Sequence, residues 1–142
     1  MPGHELHGYS DYVVVHLINS MNSSGIEIKN SWLKHGKFHV NGNKDVEISS
    51  AEIDKIIIPP NSAQDISACG RSSALYGTEG SIELYDGANK IGKLYWSDPY
   101  SGDNDFQAQD TIVGGTYAIV VGNWNRSGGS LGRVDVEIIK KG

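Results

Sequence analysis

The residues that point most directly to a function are aromatic side chains set beside polar loop residues. Residues 95–106, YWSDPYSGDNDF, contain four of them, Tyr95, Trp96, Tyr100 and Phe106. Amphipathic rings at loop tips can lie in a membrane interface or stack on a sugar ring. For Trp96, a position in the core, closing one end of the domain, is equally expected. The stretch therefore predicts a lipid- or sugar-binding loop that includes Trp96, Tyr100 and Phe106.

The histidines and the cysteine favour structural roles over catalysis. His16 lies inside an apolar run, as a core or edge histidine would. His35 and His39 would share a face of one strand, but no acidic or cysteine third ligand is close in sequence, so we predict no metal site. Cys69 has no base nearby and is expected to be a buried thiol. A hydrolase using His39 or Cys69 stays open as a rival, but we expect no catalytic residues and no cofactor.

A group of aspartates in the same aromatic segment is the remaining candidate for a cation site. Asp98, Asp103 and Asp105 lie close together, but their spacing matches no calcium-binding loop, and Pro99 and Tyr100 interrupt it. We therefore expect solvated turn residues here.

Composition excludes several classes of partner. The chain of 142 residues has 12 basic and 17 acidic residues, a net charge of −5, and its basic residues are scattered. This distribution argues against nucleic acid and against a membrane recognised through anionic lipid charge. The single cysteine excludes an internal disulfide. No apolar run approaches the ~20 residues of a spanning helix, and we see no secretory signal. We expect a soluble protein, made in the cytoplasm and released to act at target-cell membranes.

The elements that must position these side chains are predicted to be short β-strands. Apolar and charged residues alternate at 26–29, 46–48, 82–85 and 134–138, as in half-buried strands. More continuous apolar runs at 12–18 and 117–121 are typical of central strands. The expected core includes five residues on these strands: Ile82, Leu84, Val134, Val136 and Ile138.

Turn signals and helix signals complete the predicted architecture. Residues 85–91 are expected to form a hairpin, and residues 50–56 at most one short helical turn. Many short strands without crossover helices predict an all-β fold, a single antiparallel β-sandwich domain over 1–142. Residues 1–8 are expected to be a flexible N-terminus.

Several short motifs are spread along the chain: GKFH at 36–39 with GNKDVE at 42–47, ACGRS at 68–72 with GTEG at 77–80, LYDG at 84–87, KIG at 90–92 and VDVE at 134–137. Together they resemble the motifs of the aegerolysin family. The resemblance extends from about residue 9 to residue 141, and the ACGRS and GTEG pair is its most specific part.

The resemblance implies lipid recognition without enzymatic chemistry. Aegerolysins bind membranes through sphingomyelin with sterol or through ceramide phosphoethanolamine, and several recruit a larger MACPF-type protein to form a pore. It further implies a β-sandwich and a possible homo-oligomer. A lectin-like carbohydrate-binding module and a self-sufficient haemolysin are the alternatives.

The chain departs from fungal aegerolysins at the positions that bear on lipid choice. His35 and Tyr12 stand where the family has tryptophans, Tyr76 replaces an acidic residue, and Tyr100 replaces a second loop tryptophan. These positions, with Trp32, are carried over as further candidates for membrane contact. The aromatic-x-x-Pro-aromatic loop resembles more closely the small component of a bacterial binary insecticidal toxin. That resemblance implies an insect-directed member of the family.

Overall fold

Strands with one apolar face form two β-sheets that pack against each other. The computed structural model describes residues 7–72 and 74–141. One sheet has six strands, in the spatial order β10 (Tyr117–Val121), β11 (Gly132–Lys140), β1 (Tyr12–Asn19), β6 (Ser62–Cys69), β3 (Lys37–Val40) and β4 (Asn43–Ile48). The other has five, in the order β5 (Ile57–Ile58), β2 (Ile26–His35), β7 (Thr78–Asp86), β8 (Asn89–Asp98) and β9 (Asp105–Gln109). The two short helices are α1 (His7–Ser10) and α2 (Ser50–Ile53).

The core lies between the inner faces of the two sheets, as the alternating patterns predict. All five of the predicted core residues are fully buried: Ile82, Leu84, Val134, Val136 and Ile138. At one end of the core, Phe38 and Trp96 meet edge to face with their ring centroids 6.1 Å apart. The predicted all-β sandwich is therefore confirmed.

Two details of the sheets differ from the prediction. β1 and β11 run parallel, with Val15 opposite Val134, although every other strand pair is antiparallel. β10, predicted to be central from its apolar run, is an edge strand, since β11 is its only neighbour among the described strands, and Val120 is half exposed. A run of β-branched residues indicates that a segment favours a β-strand. The number of strands that flank it in the sheet depends instead on which distant segments pair with it.

The local turn predictions hold. The hairpin between β7 and β8 turns at Gly87, which has a φ of 59°. Helix α2 is a single turn whose first amides are capped by Ser49, since its hydroxyl accepts from Glu52 N at 3.2 Å. Most of the predicted flexible N-terminus, residues 1–6, lies outside the described residues. Among those described, no helix is long and apolar enough to cross a bilayer.

The chain crosses from the five-stranded sheet to the six-stranded sheet at a glycine. Gly36 joins the end of β2 to the start of β3 with a φ of 91°, a left-handed conformation that favours glycine. A Cβ there would lie 2.5 Å from the carbonyl oxygen of Cys69. His35 therefore stays in the five-stranded sheet while His39 belongs to the six-stranded sheet, so the two histidines do not share a strand face as expected.

Candidate functional site

Two loops meet at one end of the sandwich and enclose a pocket of about 310 Å³. One loop follows β6 and carries Leu75 and Tyr76, and the other follows β8 and carries Pro99 and Tyr100. Their close approach requires Gly77, because a Cβ at that position would lie 1.7 Å from the carbonyl oxygen of Asp98. The glycine of the GTEG motif thus brings the two aromatic loops together. We call this end of the molecule the aromatic rim, made of His35, Tyr76 and Tyr100.

The wall of the rim pocket is a pair of stacked rings. The imidazole of His35 and the phenol of Tyr76 lie parallel, with an interplanar angle of 2° and centroids 4.4 Å apart. Tyr76 is still 61 % exposed and Tyr100 is 41 % exposed, so both rings present surface to an approaching ligand. The rim therefore combines a pre-formed pocket with aromatic edges that reach solvent.

Two carboxyl groups contribute to the lining of the pocket. Glu79 lies opposite both His35 and Ser97 in the sheet, and its Oε2 accepts a hydrogen bond from the Tyr95 hydroxyl at 2.7 Å. Burial and the bond to Glu79 raise the pKa of Tyr95 to about 12, so the phenol keeps its proton and holds the carboxylate in place. Glu79 gives the pocket a fixed negative charge.

The second carboxyl group, Asp98, is buried, which corrects the expectation of solvated turn aspartates. Its side chain has no exposed surface, and its Oδ2 accepts from the backbone N–H of Leu131 at 2.9 Å. Burial raises the pKa of Asp98 to about 7, and the negative charge of Asp11 contributes in the same direction. Asp98 therefore sits between its two protonation states near neutral pH. Among residues 7–72 and 74–141 no three metal-ligating side chains come together, and Asp103 and Asp105 form no site with it.

Tyr100 also separates the rim pocket from a wider pocket of about 630 Å³ on its other side. Tyr12 and Lys44 line that second pocket, and the Lys44 ammonium lies 4.1 Å from the centroid of the Tyr12 ring. The loop that carries Tyr100 is fixed by Asn104, whose side-chain amide donates to the carbonyl oxygens of Asn125 and Gly129, at 2.9 Å in each case. Four of the predicted membrane-contact residues are therefore gathered around one anchored loop: Tyr12, His35, Tyr76 and Tyr100.

The other three predicted residues lie elsewhere. Trp96 is 0 % exposed and donates its indole N–H to Thr78 Oγ1 at 3.1 Å, and Phe106, opposite it on β9, is 6 % exposed. In this conformation both rings face the core, because the strand alternation of β8 and β9 turns them inward. Trp32 is half exposed and pairs with Ser81, two residues beyond Glu79 on the face of the five-stranded sheet.

The remaining histidine and cysteine candidates have structural environments. His16 Nδ1 lies 2.6 Å from Asp65 Oδ1 on the neighbouring strand, a satisfied histidine as expected. Cys69 is buried as expected, and burial raises the pKa of its thiol, which disfavours the thiolate needed for nucleophilic attack.

Sequence reasoning missed the three most exposed large apolar side chains among the described residues. Leu75 stands beside Tyr76 at the rim pocket, and Ile112 and Val113 occupy the loop between β9 and β10 at the opposite end of the sandwich. Leu75 had a visible signal, since it is a bulky apolar residue in a glycine-bounded loop. Ile112 and Val113 precede Gly114-Gly115 and resemble a strand start in sequence.

Comparison with known proteins gives a consistent family assignment. The family model described as Aegerolysin matches residues 10–141. Asp-hemolysin of Aspergillus fumigatus is 42 % identical over 134 residues, covering 94 % of this chain and 95 % of that protein. Ostreolysin A6 of Pleurotus ostreatus is 32 % identical over 139 residues, covering 94 % and 98 %.

Solved structures share the fold over nearly the whole chain. RahU, crystallised in complex with a TRIS molecule, superposes with a TM-score of 0.88 at 31 % identity, covering 94 % of this chain and 98 % of RahU. IP-1A from Alcaligenes faecalis gives a TM-score of 0.88 at 29 % identity, covering 98 % and 97 %.

Proposed function

The chain belongs to the aegerolysin family, and from this premise we propose that it is a lipid-binding protein that docks its aromatic rim on sphingolipid-containing membranes. The named members of the family that resemble it include a haemolysin and an ostreolysin. A larger MACPF-type protein completes the proposed system by forming the pore. In this division of roles the present chain selects the membrane and performs no enzymatic step.

The observation that carries the proposal is the stacked His35–Tyr76 wall facing a pocket with a fixed carboxylate. Zwitterionic headgroups such as phosphocholine and phosphoethanolamine end in an ammonium group. Tyrosine rings attract such cations through their π faces, and the Glu79 carboxylate adds an opposite charge at the same pocket. The rim therefore offers the ammonium end of a sphingolipid headgroup both recognition elements.

The exposed rings support binding at the membrane surface rather than in free solution. Tyr76 and Tyr100 project beside Leu75 and Pro99, so apolar and amphipathic side chains surround the pocket mouth. Aromatic side chains partition into the headgroup region of a bilayer although they carry no net charge. Binding should accordingly change little when salt is raised, since it depends on rings more than on basic residues.

The experiment that tests lipid binding is sedimentation with vesicles of defined composition. The panel contains phosphatidylcholine alone, phosphatidylcholine with ceramide phosphoethanolamine, and sphingomyelin with cholesterol. We expect the protein to pellet with at least one sphingolipid mixture, and Tyr76→Ala to lower the pelleted fraction. Ile112→Ala, which changes an even more exposed side chain at the opposite end of the sandwich, is the control and should pellet like the wild type. Retention by a glycan array but by none of these vesicles would favour the lectin alternative instead.

The partner proposal has its own test. Dye-loaded vesicles of a binding composition should stay intact with this protein alone and leak when a MACPF-type protein encoded beside it is added. Complete leakage at nanomolar concentration without a partner would instead make the chain a self-sufficient haemolysin.

The proposed target is an insect cell. The proposal rests on the loop Trp96–Tyr100 and on Tyr76, which replaces the acidic residue found in fungal members. With the partner present, insect cells rich in ceramide phosphoethanolamine should be permeabilised at lower concentration than erythrocytes. Equal sensitivity of both cell types would contradict this part of the proposal.

A further inference from the structure

The sandwich is open along one side, between the edge strands β9 and β10. Ala108 of β9 lies opposite Leu94, and Phe106 lies opposite Trp96, so Ala108 is on the core face of its sheet. Leu94 and Trp96 are fully buried, but Ala108 is exposed. A residue on the core face is exposed where the facing sheet does not cover it. The six-stranded sheet therefore ends before it reaches Ala108, and β9 projects past β10.

The edge of β10 beside this opening has backbone groups that β11 does not use. The N–H of Gly122 donates to the carbonyl oxygen of Asp135 at 2.7 Å, which fixes the phase of the ladder between β10 and β11. Hydrogen-bonded pairs alternate along an antiparallel ladder. The residues whose N–H and C=O groups point away from β11 are therefore Tyr117, Ile119 and Val121. Among the described strands, none pairs with β10 on that side.

β10 also lacks the features that protect the other edge strands of the described chain. β4 carries charged residues at 44, 45 and 47, β9 starts at Asp105, and β5 is only two residues long. The sequence of β10, YAIVV, has no charge and no proline. An uncharged, β-branched edge strand is a template for pairing with a strand of another chain.

The opening accepts a single strand more readily than a second copy of the whole sandwich. A second copy paired through β10 would bring its own projecting β9 into the space that β9 already fills. Symmetric antiparallel pairing would also point the two rims in opposite directions, because β10 runs from the far end of the sandwich towards the rim end, where Leu131 and Asp98 meet. Both rims could not then lie on one bilayer. A narrow extended segment meets neither obstacle.

We propose that this opening takes up an extended segment of a partner protein by β-strand addition. The backbone of that segment pairs with the three outward-facing residues of β10, and its alternate side chains are apolar because they pack against Ala108 and Ile119. The proposal rests on the proposed function, in which the partner is the larger MACPF-type protein. The opening runs along the side of the sandwich, so its occupant leaves the aromatic rim free to contact the membrane.

The test is amide hydrogen exchange at single-residue resolution in the full chain bound to vesicles of a binding composition. Exchange is measured before and after addition of the MACPF-type protein encoded beside this chain. We expect the amides of Ile119 and Val121 to exchange more slowly with the partner present. The amides of Ala118 and Val120, which already point at β11, should change little. A partner that is recruited without slowing Ile119 and Val121 would overturn the proposal.

Variants of the opening give a second, independent readout. Ala108→Lys puts a charge where the segment should pack and should weaken recruitment of the partner to vesicles by about tenfold or more. Gln107→Lys is the matched control, since it changes the adjacent exposed residue on the opposite face of β9 and should recruit the partner normally. Val121→Pro removes one outward N–H, should weaken recruitment several-fold, and serves if Ala108→Lys does not fold.

The outcomes separate this proposal from lipid binding by the rim. All three variants should pellet with sphingolipid vesicles like the wild type, because the rim is unchanged. Normal recruitment by folded Ala108→Lys, or by Val121→Pro if only that variant folds, would contradict strand addition alone. A wild type that pellets but recruits no partner would overturn both the partner and its site. If the wild type does not pellet, lipid binding fails, and the exchange experiment is run on the two proteins in solution with the same criterion. Slowing of Ile119 and Val121 that grows with the concentration of this chain alone would show that a second copy occupies the edge instead.

Discussion

The aromatic residues of β8 and the loop after it divide into two groups with opposite environments. Trp96 is fully buried and packs edge to face with Phe38, whereas Tyr100, four residues later, is 41 % exposed at the rim. Asp98 lies between them at the end of the strand and has no exposed surface. Within five residues the chain passes from core to candidate binding surface, and the strand end marks the change. Substitutions on the two sides should therefore affect different properties, stability on one side and membrane binding on the other.

The largest expected effect is on the core side. Trp96→Ala should lower the free energy of unfolding by about 3–5 kcal/mol, since it leaves a large cavity and removes the indole bond to Thr78. Urea unfolding followed by circular dichroism measures the loss. Trp96→Phe keeps most of the ring volume and should cost clearly less. A loss below about 1 kcal/mol for the alanine variant would contradict the assignment of Trp96 to the core.

Asp98, at the end of β8, should make the stability of the protein depend on pH. The pKa of Asp98 is about 7 in the folded protein and about 3.8 in the unfolded chain, so between these values only the folded state binds the proton. The carboxyl group of Asp98 therefore makes its full contribution to the free energy of unfolding below pH 4. That contribution falls as the pH rises to 7, by up to about 1.4 kcal/mol per pH unit. Asp98→Asn can still accept from Leu131 N–H.

The measurement is urea unfolding at several pH values from 4 to 7.5 for both proteins. The stability of the wild type relative to Asp98→Asn should decline as pH rises through this range, because other titrating groups are common to the two. A constant difference between the two proteins would mean that Asp98 is ionised throughout.

On the rim side the effect should be on binding alone. Tyr100→Ala removes a partly exposed ring and should change the free energy of unfolding by no more than about 0.5 kcal/mol. Vesicle affinity should fall by about fivefold to tenfold, which corresponds to ~1–1.4 kcal/mol. Parallel sedimentation and thermal unfolding measure both quantities. Normal binding with normal stability would place the membrane-binding face elsewhere.

The smallest effect is expected at the far end of the sandwich. Val113 is 100 % exposed and Ile112 is 77 % exposed, but the pocket that Ile112 helps to line has no carboxylate among its lining residues, unlike the pocket at the rim. Ile112→Ser with Val113→Ser should leave unfolding and vesicle binding within error of the wild type. A marked drop in vesicle binding would show that this loop, and not the rim, contacts the bilayer.

The alternation of apolar residues was sufficient to predict the fold class and much of the core. Ile82 and Leu84 on β7, and Val134 and Val136 on β11, point inward because successive side chains of a strand face opposite ways. The same rule failed at β4, where Val46 is exposed on an edge strand with only one neighbour. Periodicity identifies which residues share a face but does not say whether anything covers that face.

The candidate site could be predicted only in part. Aromatic content and the family motifs identified Tyr12, His35, Tyr76 and Tyr100, which the fold gathers around one loop. The same evidence could not separate Trp96 from Tyr100, because both stand beside polar residues in the sequence. Trp96 is buried and Tyr100 is exposed because β8 ends between them.

The sequence by itself determined local and repetitive features: the strands, the hairpin at Gly87, the buried Cys69 and the resemblance to a lipid-binding family. Tertiary structure decided the features that depend on distant segments. Gly36 and Gly77 allow backbones far apart in the chain to come close enough to form the rim pocket. The raised pKa of Asp98 likewise arises from its burial in the folded protein. These contacts join segments that are far apart in the chain, so no local pattern of residues could specify them.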